Sequence, residues 1–359
     1  MCERRRVNTT PDPAPRPAPG SDAPTSADAG PGATAGEGAA SPRRRDRGIG
    51  VVLPRDLPAA SVLDFARRAE EIGLDELWVV EDLGFRGGIA QAAVVLASTQ
   101  RIRVGIGILP TAARNVAFAA MELNTLAELF PGRVHAGVGH GVSVWMVQAG
   151  ARVPSPLGAF DEHVSALRAL LRGEEVNTDG AYVRLTGVVL ETPAAIVPPV
   201  LAGVRGPRSL ALAGRVADGI VLAEPATPEY IRRALEQVGD PDARVAVYNV
   251  ASIDDDRARA LDTARPALEW IGEPDWAPHI TPLDFAEDFA ALRARSASRA
   301  EFAAALPDTW VEQLAVAGTP DDARARIGAM HDAGADAVVL ILAGADPFGA
   351  LESLAGLVG

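Results

Sequence analysis

The chain has 359 residues, enough for one large domain or two ordinary ones, and its net charge of −13 disfavours a nucleic-acid or anionic-membrane surface as a partner. Every basic residue other than histidine is arginine, so a Schiff-base aldolase, a pyridoxal enzyme and a Walker A nucleotide site each lack the lysine that they require. The single cysteine, Cys2, leaves the globular part without thiolate nucleophiles or cysteine-bound metals, and we predict no metal site.

Residues 1–46 are rich in Pro, Ala, Gly, Ser and Asp and show no apolar periodicity. Such a segment cannot bury enough surface to offset the entropy of ordering, so we predict a disordered tail over 1–46 and one folded domain over 47–359. The basic run from Arg4 to Arg6 lacks the apolar stretch of a secretory signal, and no run of about 18 apolar residues occurs. We therefore expect a cytoplasmic protein without a membrane span.

From residue 48 onward, short apolar runs alternate with helical patterns, which is typical of parallel βα units. Eight such strands with helices between them predict an α/β fold, a (β/α)8 TIM barrel, which needs about 250 residues. The surplus residues predict insertions after strands 4 and 7, the second of them helical. The predicted strands lie at 48–53, 74–81, 101–109, 133–141, 199–203, 218–222, 244–252 and 336–342, and the insertions at 141–192 and 254–318.

A doubly wound Rossmann sheet is the competing architecture. Its dinucleotide fingerprint would place G-x-G-x-x-G directly after the first strand, where this chain has Pro54-Arg55-Asp56. The glycine-rich loop of this chain comes much later, after the fifth strand. The barrel is therefore the favoured fold.

That late loop runs from Gly203 through Gly206 and Pro207 into a helix that we expect Gly214 to end. A glycine-rich loop that leads into a helix exposes backbone N–H groups at the positive end of the helix dipole, an arrangement that suits a phosphate. Because the chain has no lysine, Arg205 or Arg208 is the available cation. The sequence thus predicts a phosphate-bearing cofactor.

In a TIM barrel the active site forms where the strands end. Among the residues at predicted strand ends, Glu81, Asp82 and His140 are the candidates for acid or base chemistry. For the two carboxylates the alternative is a structural helix cap and a solvated acid, and for His140 a packed side chain. The other residues at strand ends are Leu109, Gly203 to Pro207 and Glu224.

Glycine recurs at every second position of two neighbouring predicted strands. Gly105 and Gly107 lie in the third strand, and Gly137 and Gly139 lie in the fourth. One face of each strand is therefore without side chains. This pattern fits either a tight layer of the barrel or a flat ring, such as a flavin, that lies against the backbone.

The chain resembles the luciferase-like monooxygenase superfamily, whose members are barrels that use FMN or the deazaflavin coenzyme F420. The match covers residues 48–359 and rests on the order and spacing of several segments. These are ELWVVED (76–82), RIRVGIGILP (101–110), LFPGRVHAGVGHG (129–141), ALAGRVADG (211–219), and AGTPDDARARI followed by GADAVVL near the end.

The resemblance implies a non-prolyl cis peptide around Gly107 and Ile108 that supports the back of the cofactor ring. It also implies phosphate binding by the glycine-proline loop and contacts from the ends of strands 2 and 4. The cofactor-binding residues expected in this chain are Gly107, Ile108, Gly139, His140, Gly141, Gly203, Gly206, Pro207 and Arg208.

Within that superfamily the chain is similar to the group of methylenetetrahydromethanopterin reductases, which generally uses F420. That group often has Asp-His at the end of strand 2, where this chain has Glu81-Asp82. No histidine beside the ring can therefore be carried over to this position. Family membership also implies a homodimer.

The first hypothesis is an oxidoreductase that moves a hydride between coenzyme F420 and a small organic substrate, with Asp82, Glu81 or His140 as proton donor. The second is a two-component monooxygenase that uses FMN. A third is a flavin-binding barrel without turnover. A sugar-phosphate isomerase or aldolase is disfavoured because the chain has no lysine.

Overall fold

Eight parallel strands surrounded by helices close into a barrel in the computed structural model, which describes residues 46–358. The strands are β1 (Gly48–Val52), β2 (Glu76–Val79), β3 (Arg103–Pro110), β4 (Val134–Gly139), β5 (Val176–Asp179), β6 (Arg184–Val188), β7 (Val200–Gly203), β8 (Gly219–Leu222), β9 (Arg244–Ile253), β10 (Val316–Gly318) and β11 (Ala337–Leu342). The order around the barrel is β1, β2, β3, β4, β7, β8, β9 and β11, and β11 pairs with β1 to close it. The predicted fold is confirmed.

The helices follow the strands in the expected alternation. They are α1 (Val62–Glu71), α2 (Gly88–Ser98), α3 (Val116–Leu129), α4 (Ser143–Gln148), α5 (Pro156–Leu171), α6 (Pro207–Val216), α7 (Pro228–Val238), α8 (Arg257–Ala264), α9 (Ala277–Ile280), α10 (Ala286–Arg295), α11 (Arg299–Ala304), α12 (Asp308–Leu314), α13 (Pro320–Asp332) and α14 (Pro347–Glu352), with short 3₁₀ turns at Ala59–Ser61, Thr111–Ala113, Arg265–Leu268, Pro274–Trp276 and Ser353–Leu357. None of them is both long and apolar enough to cross a membrane.

Burial explains why the strands appear in the sequence as continuous apolar runs. Every residue of β4 and of β8 is buried, because helices cover the outer face and the barrel interior covers the inner one.

The residues at the helix ends explain where the helices begin and end. Thr319 and Asp322 form a capping box at the start of α13, and Gly239 ends α7 in the left-handed conformation.

Both predicted insertions are present. The first, between β4 and β7, holds α4 and the antiparallel hairpin of β5 and β6. The second, between β9 and β11, holds helices α8 to α12 around an apolar cluster of its own. It also contains β10, which pairs with the last residues of β9 and which the sequence did not predict. Three residues directly after a helix are too short to show strand periodicity.

The expected end of α6 at Gly214 is wrong, because this helix continues to Val216. A Cβ at Gly214 would overlap the carbonyl oxygen of Val238, so the glycine allows α6 to lie close against α7. The predicted disordered tail lies outside the described residues except for Asp46. That residue forms an ion pair of 3.1 Å with Arg244 of β9.

The end of the barrel where the strands begin contains a buried cluster of charges. Glu76, the first residue of β2, has no solvent exposure. Its carboxylate pairs with Arg244, lies 3.3 Å from Nε of Arg103 and 3.8 Å from Nδ1 of His135, and accepts a hydrogen bond of 2.8 Å from Nε1 of Trp78. Both carboxylate oxygens therefore have partners, and this end of the barrel is closed.

Candidate functional site

The opposite end of the barrel gathers the residues that follow each strand. Because all barrel strands are parallel, the loops after β1, β2, β3, β4, β7 and β8 meet at one mouth. Every site residue predicted from the sequence lies in or beside these loops. The mouth is therefore the candidate site.

The wall of the mouth is formed by β3, β4 and β7. The peptide bond between Gly107 and Ile108 is cis, as the resemblance implies. The side chain of Ile108 occupies the space beside two glycines of the next strands, since a Cβ at Gly139 would lie 2.6 Å from Ile108 and one at Gly203 would lie 2.5 Å from it. Ile108 therefore packs closely against both neighbouring strands at these glycines.

The interpretation that the alternate glycines leave strand faces open is wrong at all four positions. A Cβ at Gly107 would overlap Oη of Tyr248, and one at Gly139 would lie 2.6 Å from the side chain of Ile108. A Cβ at Gly105 would overlap the indole ring of Trp78, and one at Gly137 would overlap the carbonyl oxygen of Ile106. The space beside these glycines is filled by the protein itself. The tight barrel layer, weighed as the alternative, explains them.

Beside Gly107 lies a hydroxyl group that the sequence analysis missed. Tyr248 of β9 is 7% exposed, and its Oη would overlap a Cβ at Gly107. This hydroxyl has no hydrogen-bond partner among the described residues. Burial raises the pKa of Tyr248 well above its ordinary value, so the group stays protonated and can donate to a ligand. Tyr248 lies in a predicted strand, and only the closed barrel shows that it points inward.

The first turn of α6 is the place where the sequence predicts a phosphate cradle. Gly206 precedes the helix, no side chain caps the turn, and a Cβ at Gly206 would meet nothing within 4 Å. Pro207 has no N–H, so the N–H groups of Arg208 and Ser209 are the ones that face outward. The guanidinium of Arg208 is on an exposed residue, whereas Arg205 stacks on Trp276 at 4.6 Å.

His140 joins this cradle from the end of β4. Its Nε2 lies 3.1 Å from Oγ of Ser209, and its ring packs 5.1 Å from that of Phe160. Burial lowers the pKa of His140, so the ring is neutral at pH 7 and acts there as a hydrogen-bonding group. The next residue, Gly141, has a φ of +73°, a conformation that favours glycine and turns the chain toward α4.

The two carboxylates after β2 are both held by arginines. Glu81 forms a bidentate pair with Arg114, at 2.5 and 2.7 Å, and also accepts the N–H of Gly88 at 2.7 Å. Asp82 pairs with Arg55 at 2.5 Å. The contact to Gly88 stabilises the start of α2, which agrees with the structural alternative weighed for Glu81.

A third carboxyl group, Glu224, follows β8 and is half-buried in the mouth. Its own backbone carbonyl accepts a hydrogen bond of 2.9 Å from Nε1 of Trp276. Unlike Glu81 and Asp82, it forms no ion pair with a residue of the described chain. Its position at a strand end was visible in the sequence, but its lack of a partner was not.

Comparison with known proteins agrees with this architecture. The family model described as luciferase-like monooxygenase matches residues 34–337. The chain is 30% identical over 300 residues to a 5,10-methylenetetrahydromethanopterin reductase of Methanolobus tindarius, a match that covers 80% of this chain and 91% of that one. It is 32% identical over 238 residues to an F420-dependent glucose-6-phosphate dehydrogenase of Beutenbergia cavernae, covering 59% of this chain and 68% of that one.

A solved structure has the same fold. It is the coenzyme F420 dependent tetrahydromethanopterin reductase from Methanopyrus kandleri, with a TM-score of 0.73 and 22% identity over 87% of this chain and 98% of that one. The fold defines a parallel (β/α)8 barrel whose candidate site lies where the strands end. The chain belongs to the luciferase-like monooxygenase family.

Proposed function

We propose that the protein is an oxidoreductase that transfers a hydride between coenzyme F420 and a small organic substrate. The observation that carries this proposal is the cis peptide between Gly107 and Ile108, packed against Gly139 and Gly203, at the mouth that also contains the uncapped start of α6. A flat ring that carries a phosphate tail fits such a pair of features. The relatives named above as F420-dependent enzymes favour the deazaflavin over FMN.

Different residues of the mouth would bind the ring and the phosphate of the cofactor. Gly107 and Ile108 would support the ring, with the Tyr248 hydroxyl within reach of its polar edge. The N–H groups of Arg208 and Ser209 would hold the phosphate. When bound, the deazaflavin supplies the hydride chemistry, while the protein orients both reactants and excludes water.

The binding experiment compares F420 with FMN. We expect the purified protein to retain F420, oxidised or reduced, in ultrafiltration, and retention of FMN alone would overturn the deazaflavin assignment. Turnover is then tested with reduced F420 and a panel of ketones, sugar lactones and methylenetetrahydromethanopterin. Retention of F420 with no turnover by any acceptor would favour the non-catalytic barrel.

A substitution at Gly206 tests where the phosphate of the cofactor binds. Gly206→Val adds a side chain to open space at a backbone conformation that valine adopts readily (φ −88°, ψ 155°), so the fold is preserved. We expect F420 binding to weaken at least tenfold, because the side chain occupies the phosphate cradle. The matched control is Gly328→Val on α13, where a Cβ also meets nothing within 4 Å. Equal binding by both variants would place the phosphate elsewhere.

The second candidate is an FMN-dependent monooxygenase of the two-component type, which the description of the matching family favours. It predicts consumption of oxygen when reduced FMN and a substrate are added together. Oxygen uptake that depends on substrate, in the absence of F420, would establish it.

A further inference from the structure

We propose that Glu224 is the carboxylic acid that donates the proton to the substrate during hydride transfer, a role for which the sequence singled out Glu81, Asp82 and His140. This inference rests on the proposed function and assigns a further catalytic residue to the same site. It follows from where the Glu224 carboxyl lies, how its backbone is held and which groups surround it.

The position of the carboxyl is set by the barrel. β2 and β8 are four strands apart in either direction around the ring, so they lie opposite each other. Asp82 follows β2 and Glu224 follows β8, so both residues lie at the mouth, on opposite sides of it. The effect of the charges of Asp82 and Arg55 on Glu224 agrees with this position.

The backbone beside this carboxyl is held by side chains of three neighbouring segments. The carbonyl of Glu224 accepts the hydrogen bond from Trp276, and His279 lies 3.3 Å from the carbonyl of Pro225. Asn249 exchanges two hydrogen bonds of 3.1 Å with the backbone of Ala226. A rigid support of this kind keeps a catalytic group in a fixed orientation.

The carboxyl groups at the mouth differ in whether an arginine side chain pairs with them. Glu81 and Asp82 each accept hydrogen bonds from an arginine. Glu224 forms no such pair within residues 46–358. Burial raises the pKa of the Glu224 carboxyl, and Asp82 adds to this effect, while the hydrogen bond from its own backbone N–H and the charges of Arg205 and Arg55 oppose it.

The other groups that face Glu224 do not supply a charge at neutral pH. Tyr248 on β9 stays protonated, and burial lowers the pKa of His279 to about 3, so its ring is neutral. Among the three carboxyl groups at the mouth, Glu224 is consequently the one that has no ion pair with a described residue and whose pKa is raised. A general acid requires that property.

The proposed step balances in atoms and electrons. The substrate carbon of a C=O or C=N bond accepts a hydride, its π electrons move to the heteroatom, and the heteroatom takes the proton of Glu224. The substrate is reduced by two electrons and the reduced deazaflavin is oxidised by two. Glu224 is left as a carboxylate and regains a proton from solvent, while the oxidised deazaflavin releases one.

The test follows the carboxyl group directly by infrared difference spectroscopy between pH 4 and 8, with and without F420, in the full-length protein. We expect a protonated-carboxyl band that titrates at a higher pH than surface carboxyls and that saturating F420 shifts. Glu224→Gln should lack this band and should still bind F420 within threefold. The matched control Glu236→Gln, on the exposed face of α7, should keep the band.

Turnover provides the second measurement, with whichever acceptor of the panel reacts. Glu224→Gln should lower kcat for reduction by about 100-fold or more, and it should abolish the decline of kcat as the pH rises through the titration of the band. A band that persists in Glu224→Gln, or one that F420 leaves unmoved, would overturn this inference alone. Failure of the wild-type protein to bind F420 would overturn the proposed function together with it.

Discussion

Glu76 and Glu224 are glutamates at opposite ends of the same barrel, and their surroundings differ. Burial alone would raise the pKa of the Glu76 carboxyl, but the positive charges around it, chiefly His135 and Arg244, outweigh burial and lower it. Burial itself lowers the pKa of His135 to about 4, so at neutral pH the arginines carry the charge. Glu224 has no ion pair and its pKa is raised.

The difference shows that one end of the barrel stabilises the fold, whereas the other end holds the groups of the candidate site. At the end where strands begin, a fully paired carboxylate fixes β2 to β9 and offers nothing to a ligand. At the mouth, the Glu224 carboxyl has no ion pair with a described residue, and burial raises its pKa. Replacing Glu76 should therefore lower the stability of the protein, whereas replacing Glu224 should raise it at high pH.

The largest effect is expected at Glu76. Glu76→Gln removes the fully buried negative charge that pairs with Arg244 and lies 3.3 Å from Arg103, which should lower the free energy of unfolding by about 3–5 kcal/mol. Because the folded-state pKa of Glu76 is lowered, its contribution is present above about pH 4.3 and is lost as the pH falls. Urea unfolding at pH 7 and at pH 4 should show the deficit shrinking in acid. A deficit below about 1 kcal/mol at pH 7 would contradict this.

Glu81 should show an intermediate effect on stability. Glu81→Gln loses the bidentate pair with Arg114, whose side chains are 16% and 26% exposed, so we expect a loss of roughly 1–2 kcal/mol. Binding of F420 should change little, because the carboxylate is occupied by protein groups. A loss of binding above tenfold with unchanged stability would instead restore Glu81 as a ligand contact.

Replacing Glu224 should raise the stability of the protein, which is the reverse of the effect expected at Glu76. The folded-state pKa of Glu224 is raised, so the wild-type protein loses stability as the pH rises from about 4.3 to the raised value. Glu224→Gln escapes this loss, and its Tm should exceed that of the wild type by about 1–3 °C at pH 8, with no excess at pH 4. A lower Tm for the variant at pH 8 would show that Glu224 is stabilised as a carboxylate.

The smallest effect is expected at Tyr248. Tyr248→Phe removes a buried hydroxyl that has no partner, so stability should stay within about 0.5 kcal/mol of the wild type or rise slightly. The matched comparison is Tyr230→Phe, which removes a hydrogen bond of 3.1 Å to the carbonyl of Arg205 and should cost about 1 kcal/mol. Equal losses in both variants would reveal a partner for Tyr248.

Much of the fold could be predicted because periodic patterns report local structure. Continuous apolar runs such as those of β4 and β8 predict strands buried on both faces, and Thr319 followed by Pro320 predicts the start of α13. β10 has too few residues to show a pattern. The glycine at 214 appeared to be a helix end, since only contact with Val238 explains a glycine inside α6.

The sequence predicted where the candidate site lies, but it predicted less of how the residues of the site pair with one another. Residues at strand ends meet at one mouth in any parallel barrel, so His140, Gly203 and Glu224 could all be assigned to it from their positions. Which carboxyl is neutralised depends on Arg114 and Arg55, which come from other strands. Spacing along the chain contains no information about such partners.

The sequence by itself determined the alternation of strands and helices, the glycine-proline loop before α6 and the absence of lysine chemistry, since each depends on neighbouring residues or on composition. Only the tertiary structure decided that Trp78 fills the space beside Gly105. It also decided that, among residues 46–358, the Tyr248 hydroxyl beside Gly107 has no hydrogen-bond partner and Glu224 has no ion pair. Burial and charge pairing are set by residues that are distant in the chain. The properties that tune an acid therefore emerge only when the barrel closes.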